Sequence, residues 1–216
     1  MTLLEERLGL DDYIPALREG FQVDEKPSLE FRMASNALKS LLNDRSVLEK
    51  VLELLAHDIH FLREQSANLF NNEVVLWREP DGCFSLRMAI WTKGSDVFIH
   101  DHNALGVTGC WFGKLLVENW EIKEWLSEDK VKLELKEKIV LDQQYTIYVR
   151  PQDQGLHRVD LAEGDFAVSL SAYARPKQRG YIRRFDPLTG AVTKIYHPVR
   201  QQRTWAKQLL EIMEKS

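Results

Sequence analysis

The chain has 216 residues, 44 % of them hydrophobic and 10 % aromatic, with a formal net charge of −4 and a sequence pI near 5.9. That suits one domain with an added helical segment and a sizeable core, and it excludes a disordered or fibrous composition. The acidic balance disfavours a nucleic-acid surface. Sparse cysteine (Cys83 and Cys110), no signal-like leader and no apolar run near the roughly 18 residues of a membrane span predict a soluble, cytoplasmic protein.

Residues 1–70 read as helical. Leu3, Leu4 and Leu8 recur at helical spacing, and Pro15 and Gly20 interrupt the run. After Ser28, the positions Leu29, Met33, Leu38, Leu41 and Leu42 form an apolar series. Ser46 reads as an N-cap with Glu49 completing a capping box, ahead of a dense apolar stripe from Val47 to Leu62. From about residue 73 the pattern changes to short β-branched and aromatic runs: EVVLW, FSLRMAIW, VFIHDH, GVTGCWFGKLLVENWEI, VKLEL, YTIYVR, FAVSLSAY, YIRRF and VTKIYH. Turn signals separate them, among them Pro80-Asp81-Gly82 and Glu163-Gly164-Asp165. Many short strands at this spacing predict a sandwich or barrel. Helical spacing returns after Pro198. The expected organisation is a helical region over 1–70 packed on a β-barrel over 71–197, then a C-terminal helix over 198–216.

Histidine is scarce, with six in the chain. His100 and His102 are two apart in a run with strand character, so a strand would aim both rings at one face. His157, in GLHRVDL, supplies a third imidazole near another predicted strand. Three imidazoles with open positions make a reactive metal centre, and imidazole suits iron, zinc, copper or nickel. HxH pairs also occur as surface or satisfied core residues, and His57, His60 and His197 read as ordinary helix-face and turn residues.

The glycines around the pair add a pattern. Gly94, five residues, His100-Asp101-His102, then Gly106 and Gly113 resemble the first motif of the cupin superfamily, whose glycines serve turns and close backbone approach. Pro151, Gly155 and His157 resemble the second motif, with Leu161 where that family usually has Asn. No carboxylate stands near Gly106, where the cupin glutamate would fall, so the resemblance implies three neutral histidines and no fourth ligand.

Across residues 70 to 197 the chain is similar to cysteine dioxygenase and the related bacterial thiol dioxygenases, in EVVLWREPDGCFSLRMAIW, IHDHNALGVTGCWFGKL, GLHRVD and FAVSLSAY. The resemblance implies a mainly β fold with N-terminal helices, a cupin-type antiparallel barrel. It implies Fe(2+) on His100, His102 and His157, with another divalent transition metal possible in the isolated protein. The implied substrates are a small thiol and dioxygen, and the implied product a sulfinic acid. Tyr173 matches the active-site tyrosine, whose phenol would hydrogen-bond to a reactant. Its bland alternative is a strand tyrosine with the ring in the core. Gly106 matches the position of the cross-linking cysteine, so no cross-link to tyrosine is expected, and Cys110 is no substitute.

Two departures stand out. The family's Ser-x-His-x-Tyr run is here Ser169-Leu170-Ser171-Ala172-Tyr173, and the Ser171 hydroxyl does not titrate near neutrality as a histidine does, leaving the tyrosine to be oriented through water. The family's carboxylate-gripping Arg or Gln is replaced by Asn72, beside Asn71; Arg78 falls at a strand position not used for substrate. Asn lacks the charge and fork of Arg, so Arg183 or Arg184 becomes a candidate grip, against an equal reading as residues of a solvated strand or partners of nearby acids. The expected partners are a small molecule and dioxygen, without nucleic acid or membrane, in a monomer or small homo-oligomer. The alternatives are a three-histidine cupin that cleaves a carbon–carbon bond of a diketone-like substrate, and a non-catalytic barrel binding a metal or small ligand.

Overall fold

The computed structural model describes residues 8–21, 27–65, 70–143, 145–176 and 179–213. Leu3 and Leu4 lie outside them.

Four helices lie before the strands among the described residues: α1 (Ile14–Gly20), α2 (Pro27–Leu42), α3 (Arg45–His57) and α4 (Ile59–Glu64). Pro15 starts a helix rather than interrupting one, because its missing N–H falls in the first turn, where no intrahelical partner exists. The cap of α3 is Asp44, not Ser46: the Asp44 carboxylate accepts from both the backbone N and the hydroxyl of Ser46. Asp58 divides the stripe from Val47 to Leu62 into two helices. Its extended backbone ends α3, and its Oδ1 accepts from the N–H groups of His60 and Phe61 to start α4.

Nine strands follow among the described residues: β1 (Glu73–Arg78), β2 (Phe84–Thr92), β3 (Ile99–His100), β4 (Gly106–Ser127), β5 (Lys130–Leu141), β6 (Thr146–Val149), β7 (Leu156–Ala174), β8 (Tyr181–Phe185) and β9 (Val192–Tyr196). Helix α5 (Pro198–Met213) closes the described chain. The strands form one antiparallel sheet in the order β1-β2-β7-β3-β8-β9, with β4 pairing β5, β6 and β7. The fold is mainly β, one antiparallel sheet folded over on itself, with helices before it.

The long strands do the folding over. One edge of β7 runs along β4, while its other edge meets β3 at His157 and β2 from Phe166 to Ala174. The Glu163-Gly164-Asp165 signal is no break: Gly164 takes φ +78° inside β7, and the register with β4 shifts nearby. Such a shift bends a strand without ending it.

Side-chain alternation sorts the two faces of this wall. Leu86, Met88, Leu170 and Ala172 point away from the interior and pack with Leu38, Leu41, Leu42, Val47 and Leu48 of the helices. Their neighbours Ser85, Arg87, Ala89, Ser169, Ser171 and Tyr173 point the other way, into the barrel. Burial of the helical stripe is what seats the helices on the barrel wall.

Candidate metal centre

His100 and His157 are direct cross-strand partners of β3 and β7. With His102 they bring three ring nitrogens within 4.8 Å of one another, and the three ring centroids are 4.8 Å apart pairwise. The group can hold a metal ion. The Nε2 atoms of His102 and His157 lie 2.8 Å apart. Two ligands at about 2.1 Å from a shared ion and at right angles would be about 3.0 Å apart, so the spacing suits adjacent ligands.

The donor chemistry also fits. His100 Nδ1 lies 3.0 Å from the Phe98 carbonyl, which only accepts, so Nδ1 carries the hydrogen and Nε2 keeps its lone pair. Burial lowers the pKa of all three rings, His102 and His157 well below the usual imidazole range, with mutual repulsion adding to the effect at His102 and His157. The rings are therefore neutral at neutral pH, the state a metal requires.

The expectation that VFIHDH is a strand holds only for Ile99–His100. His102 stands beyond the ladder, and alternation does not aim it. Its carbonyl accepts from the Gln152 N–H at 2.8 Å, and Gln152 itself adopts φ +57°, a left-handed conformation uncommon outside glycine.

The histidines open into a cavity whose wall includes Asn72, Glu73, Arg87, Ser171 and Tyr173, with Phe70, Trp91, Phe98 and Val159 as apolar lining. Tyr173 stacks on His102, with centroids 5.5 Å apart and planes at 21°. Burial raises the phenol's pKa, and hydrogen bonding to Ser171 and Thr108 works against that rise. Ser171 shares a face of β7 with Tyr173, and its hydroxyl lies 2.8 Å from that of Thr108. Gly106 faces Tyr173 across β4 and β7, and a Cβ there would stand 2.6 Å from the ring's Cδ1. The phenol ring occupies the space that any side chain at position 106 would need.

Asn72 is among the residues that line the cavity, and Arg183 and Arg184 are not. Arg183 pairs with Asp101 and Asp153, and Arg184 lies over the Phe98 ring with Asp96 at 3.6 Å. Both thus have acidic neighbours, and Arg184 borders an adjoining cavity that shares Asn72, Glu73 and Phe98 with this one. The arginine on the cavity wall is Arg87, which pairs with Glu73 at 2.9 Å and places its guanidinium carbon 5.9 Å from the centroid of Tyr173. Sequence reasoning passed over it, although Ser85, Arg87, Ala89 and Trp91 form the less greasy face of an alternating strand. His57 and His60 are exposed on the helices, and His197 lies outside the cluster.

No protein-family model matches the chain, and no curated protein matches it. Among solved structures it is similar to an RmlC-like cupin protein from Ralstonia eutropha, at 13 % identity over 64 % of this chain and 76 % of that one, with a TM-score of 0.36. It is also similar to a hydroquinone 1,2-dioxygenase solved with Cd2+ and 4-hydroxybenzonitrile, at 9 % identity over 53 % of this chain and 70 % of that one, TM-score 0.36. A third similarity is to a chain from structures of DMSP lyases, at 15 % identity and TM-score 0.33, covering 47 % of this chain and 46 % of the lyase. The chain thus spans less than half of the lyase it matches. Among the described residues no helix is long and apolar enough to cross a membrane.

Proposed function

We propose that this protein is an iron(II)-dependent dioxygenase that oxidises a small thiol to a sulfinic acid. The observation that carries the reading is a three-histidine cluster, with His100 and His157 buried, that opens directly onto a cavity walled by Tyr173 and Arg87. His100, His102 and His157 would hold iron(II), which would supply the electronic coupling between a thiol and dioxygen. The reaction balances without a further reductant: RSH and O2 give RSO2H, both oxygen atoms ending on sulfur, which loses four electrons as dioxygen gains them.

The chain's own groups then have separable tasks. Tyr173 keeps its proton at neutral pH, because burial raises its pKa, and so acts as a hydrogen-bond donor toward the reacting sulfur or oxygen. The Arg87 guanidinium is placed to take a substrate carboxylate, and Glu73 beside it sets how much of that positive charge a ligand meets. Asn72 adds an amide contact at the same wall. The apolar lining of Phe70, Trp91, Phe98 and Val159 offers a surface for the substrate's carbon chain beside the metal site.

Oxygen consumption by the iron-loaded protein with cysteine, 3-mercaptopropionate and mercaptosuccinate tests the class. One of them is expected to consume one dioxygen per thiol and yield its sulfinate. No uptake with any of the three sinks the thiol reading. The largely apolar lining also suits a diketone-like substrate, and uptake with a diketone alone would favour carbon–carbon cleavage instead.

A further inference from the structure

Beyond β3 the backbone ladder ends at the Asp101 N–H, yet the His102 ring must meet His157. What replaces the ladder is a cluster of charges on the other side of the peptide. Asp101, between the two histidines, is 0 % exposed. Its Oδ1 accepts from the Arg183 backbone N–H and from Arg179 Nη2, each at 2.7 Å, and its Oδ2 accepts from Arg183 Nε at 2.6 Å. The Asp101 N–H donates to the Arg183 carbonyl at 3.2 Å. The carboxylate thus occupies the place where β3 would continue along β8.

The second arm of Arg183 reaches elsewhere. Its Nη2 bonds the Asp153 carboxylate. Asp153 follows Gln152, whose N–H holds the His102 carbonyl, and lies four residues before His157. Arg183 is therefore bonded at once to the segment that carries His100 and His102 and to the segment that leads into His157. Its guanidinium also lies 5.2 Å from the Trp125 ring and 5.4 Å from the Phe185 ring, so packing limits its movement. Arg179 closes the cluster: its Nε donates to Asn103 Oδ1, and the Asn103 amide donates back to the Arg179 carbonyl, both at 2.8 Å.

We propose that Arg183, with Arg179, is a positioning residue of the metal centre, acting through Asp101 and Asp153 to set the distance between the two ligand-bearing segments. This rests on the three histidines being a metal site and is independent of the thiol chemistry. A buried carboxylate with both oxygens bonded to arginine keeps one geometry, since losing either partner would strand a buried charge. Partners one step removed from metal ligands typically change affinity by about 10–100-fold when removed.

The test is Co(2+) binding by the full-length, metal-free protein, read as a dissociation constant by chelator competition and as the visible spectrum of the bound ion. Arg183→Gln is expected to weaken binding about 10–100-fold and Arg179→Gln about tenfold, with altered spectra. Arg183→Lys is expected to fall between Arg183→Gln and the natural protein, because one ammonium cannot serve both carboxylates in a fork. Asp153→Asn, at a half-exposed side chain, is expected to weaken binding several-fold while leaving the fold intact. Circular dichroism and thermal melts of the metal-free forms separate positioning from general stability. Lower melting temperatures with affinity and spectrum unchanged would overturn the proposal. If Arg183→Gln does not fold, Asp153→Asn decides alone, and an unchanged constant and spectrum would sink it. Failure of the natural protein to bind Co(2+) would instead bring down the metal-site reading, and the positioning role with it.

Discussion

His157 and His102 face each other with ring nitrogens 2.8 Å apart, but the backbone beneath them differs in kind. His157 belongs to a 19-residue strand and is paired on both sides, to His100 across β3 and to Asn119 across β4. His102 follows a two-residue strand and depends on the Gln152 N–H and on the charges around Asp101. A ladder holds a side chain through many weak, mutually supporting bonds, whereas a charge cluster holds it through a few strong ones that fail together. One half of the site is therefore rigid by architecture, and the other half is adjustable by single side chains.

The largest expected effect tests the ladder side. His157→Ala removes a ligand from a strand whose backbone bonds do not involve the ring. We expect loss of metal at stoichiometric concentrations and a fall in oxygen uptake of at least about 100-fold, with the circular dichroism unchanged. A variant that unfolds would break the comparison, because the imidazole would then be part of what holds β7 in place.

Gly106→Ala asks how finely the same ladder places Tyr173. The added methyl meets the phenol ring at 2.6 Å, with the Ala172 carbonyl at 3.0 Å, and the paired strands leave little room to yield. The ring should leave its stack on His102. We expect a loss of about 1–3 kcal/mol in stability, measured by denaturant titration. Uptake should drop about 10–100-fold for a mispositioned group. Unchanged activity would show that the tyrosine is not held where the reaction needs it.

The same contrast explains what could be read without coordinates. Helix stripes, the strand series and the three histidines are local patterns; periodicity predicts N-terminal helices followed by a sandwich or barrel, and the family resemblance implies the barrel. The end of β3 is not local: it is set where the Asp101 side chain takes the Arg183 N–H, a contact between residues 82 positions apart. The same contact hid the role of Arg183, since its acidic partners lie on two distant segments. Arg87 left a visible signal, a charge on the small-residue face of an otherwise apolar strand, but the family pattern drew attention to Asn72 instead. At Asp44 and Ser46 both residues are good caps, and a two-residue shift in the cap is finer than spacing can resolve.

The smallest effect uses Cys110 as a reporter of the ladder side. It lies on β4 opposite Ser169 of β7, fully buried, with its thiol 3.2 Å from the Phe112 carbonyl and 3.3 Å from that of Gly113. Burial raises its pKa from 9.0 to about 11, so the native thiol is protonated at pH 8 and nearly inert to alkylation. A group whose acid form is favoured by folding stabilises the native state fully below its unfolded pKa near 9.0. That contribution is lost as pH rises through about 11. Iodoacetamide labelling of Cys110, followed by mass spectrometry at pH 8, should therefore proceed only at the rate of opening of the β4–β7 pair. Because the charges around Asp101 hold the other half of the site, Asp153→Asn should leave that rate within about twofold of the natural protein, the usual independence of sites that share no partners. Labelling that accelerates in step with the loss of metal affinity would mean that the two halves open together and that the division between ladder and charge cluster is not a physical one.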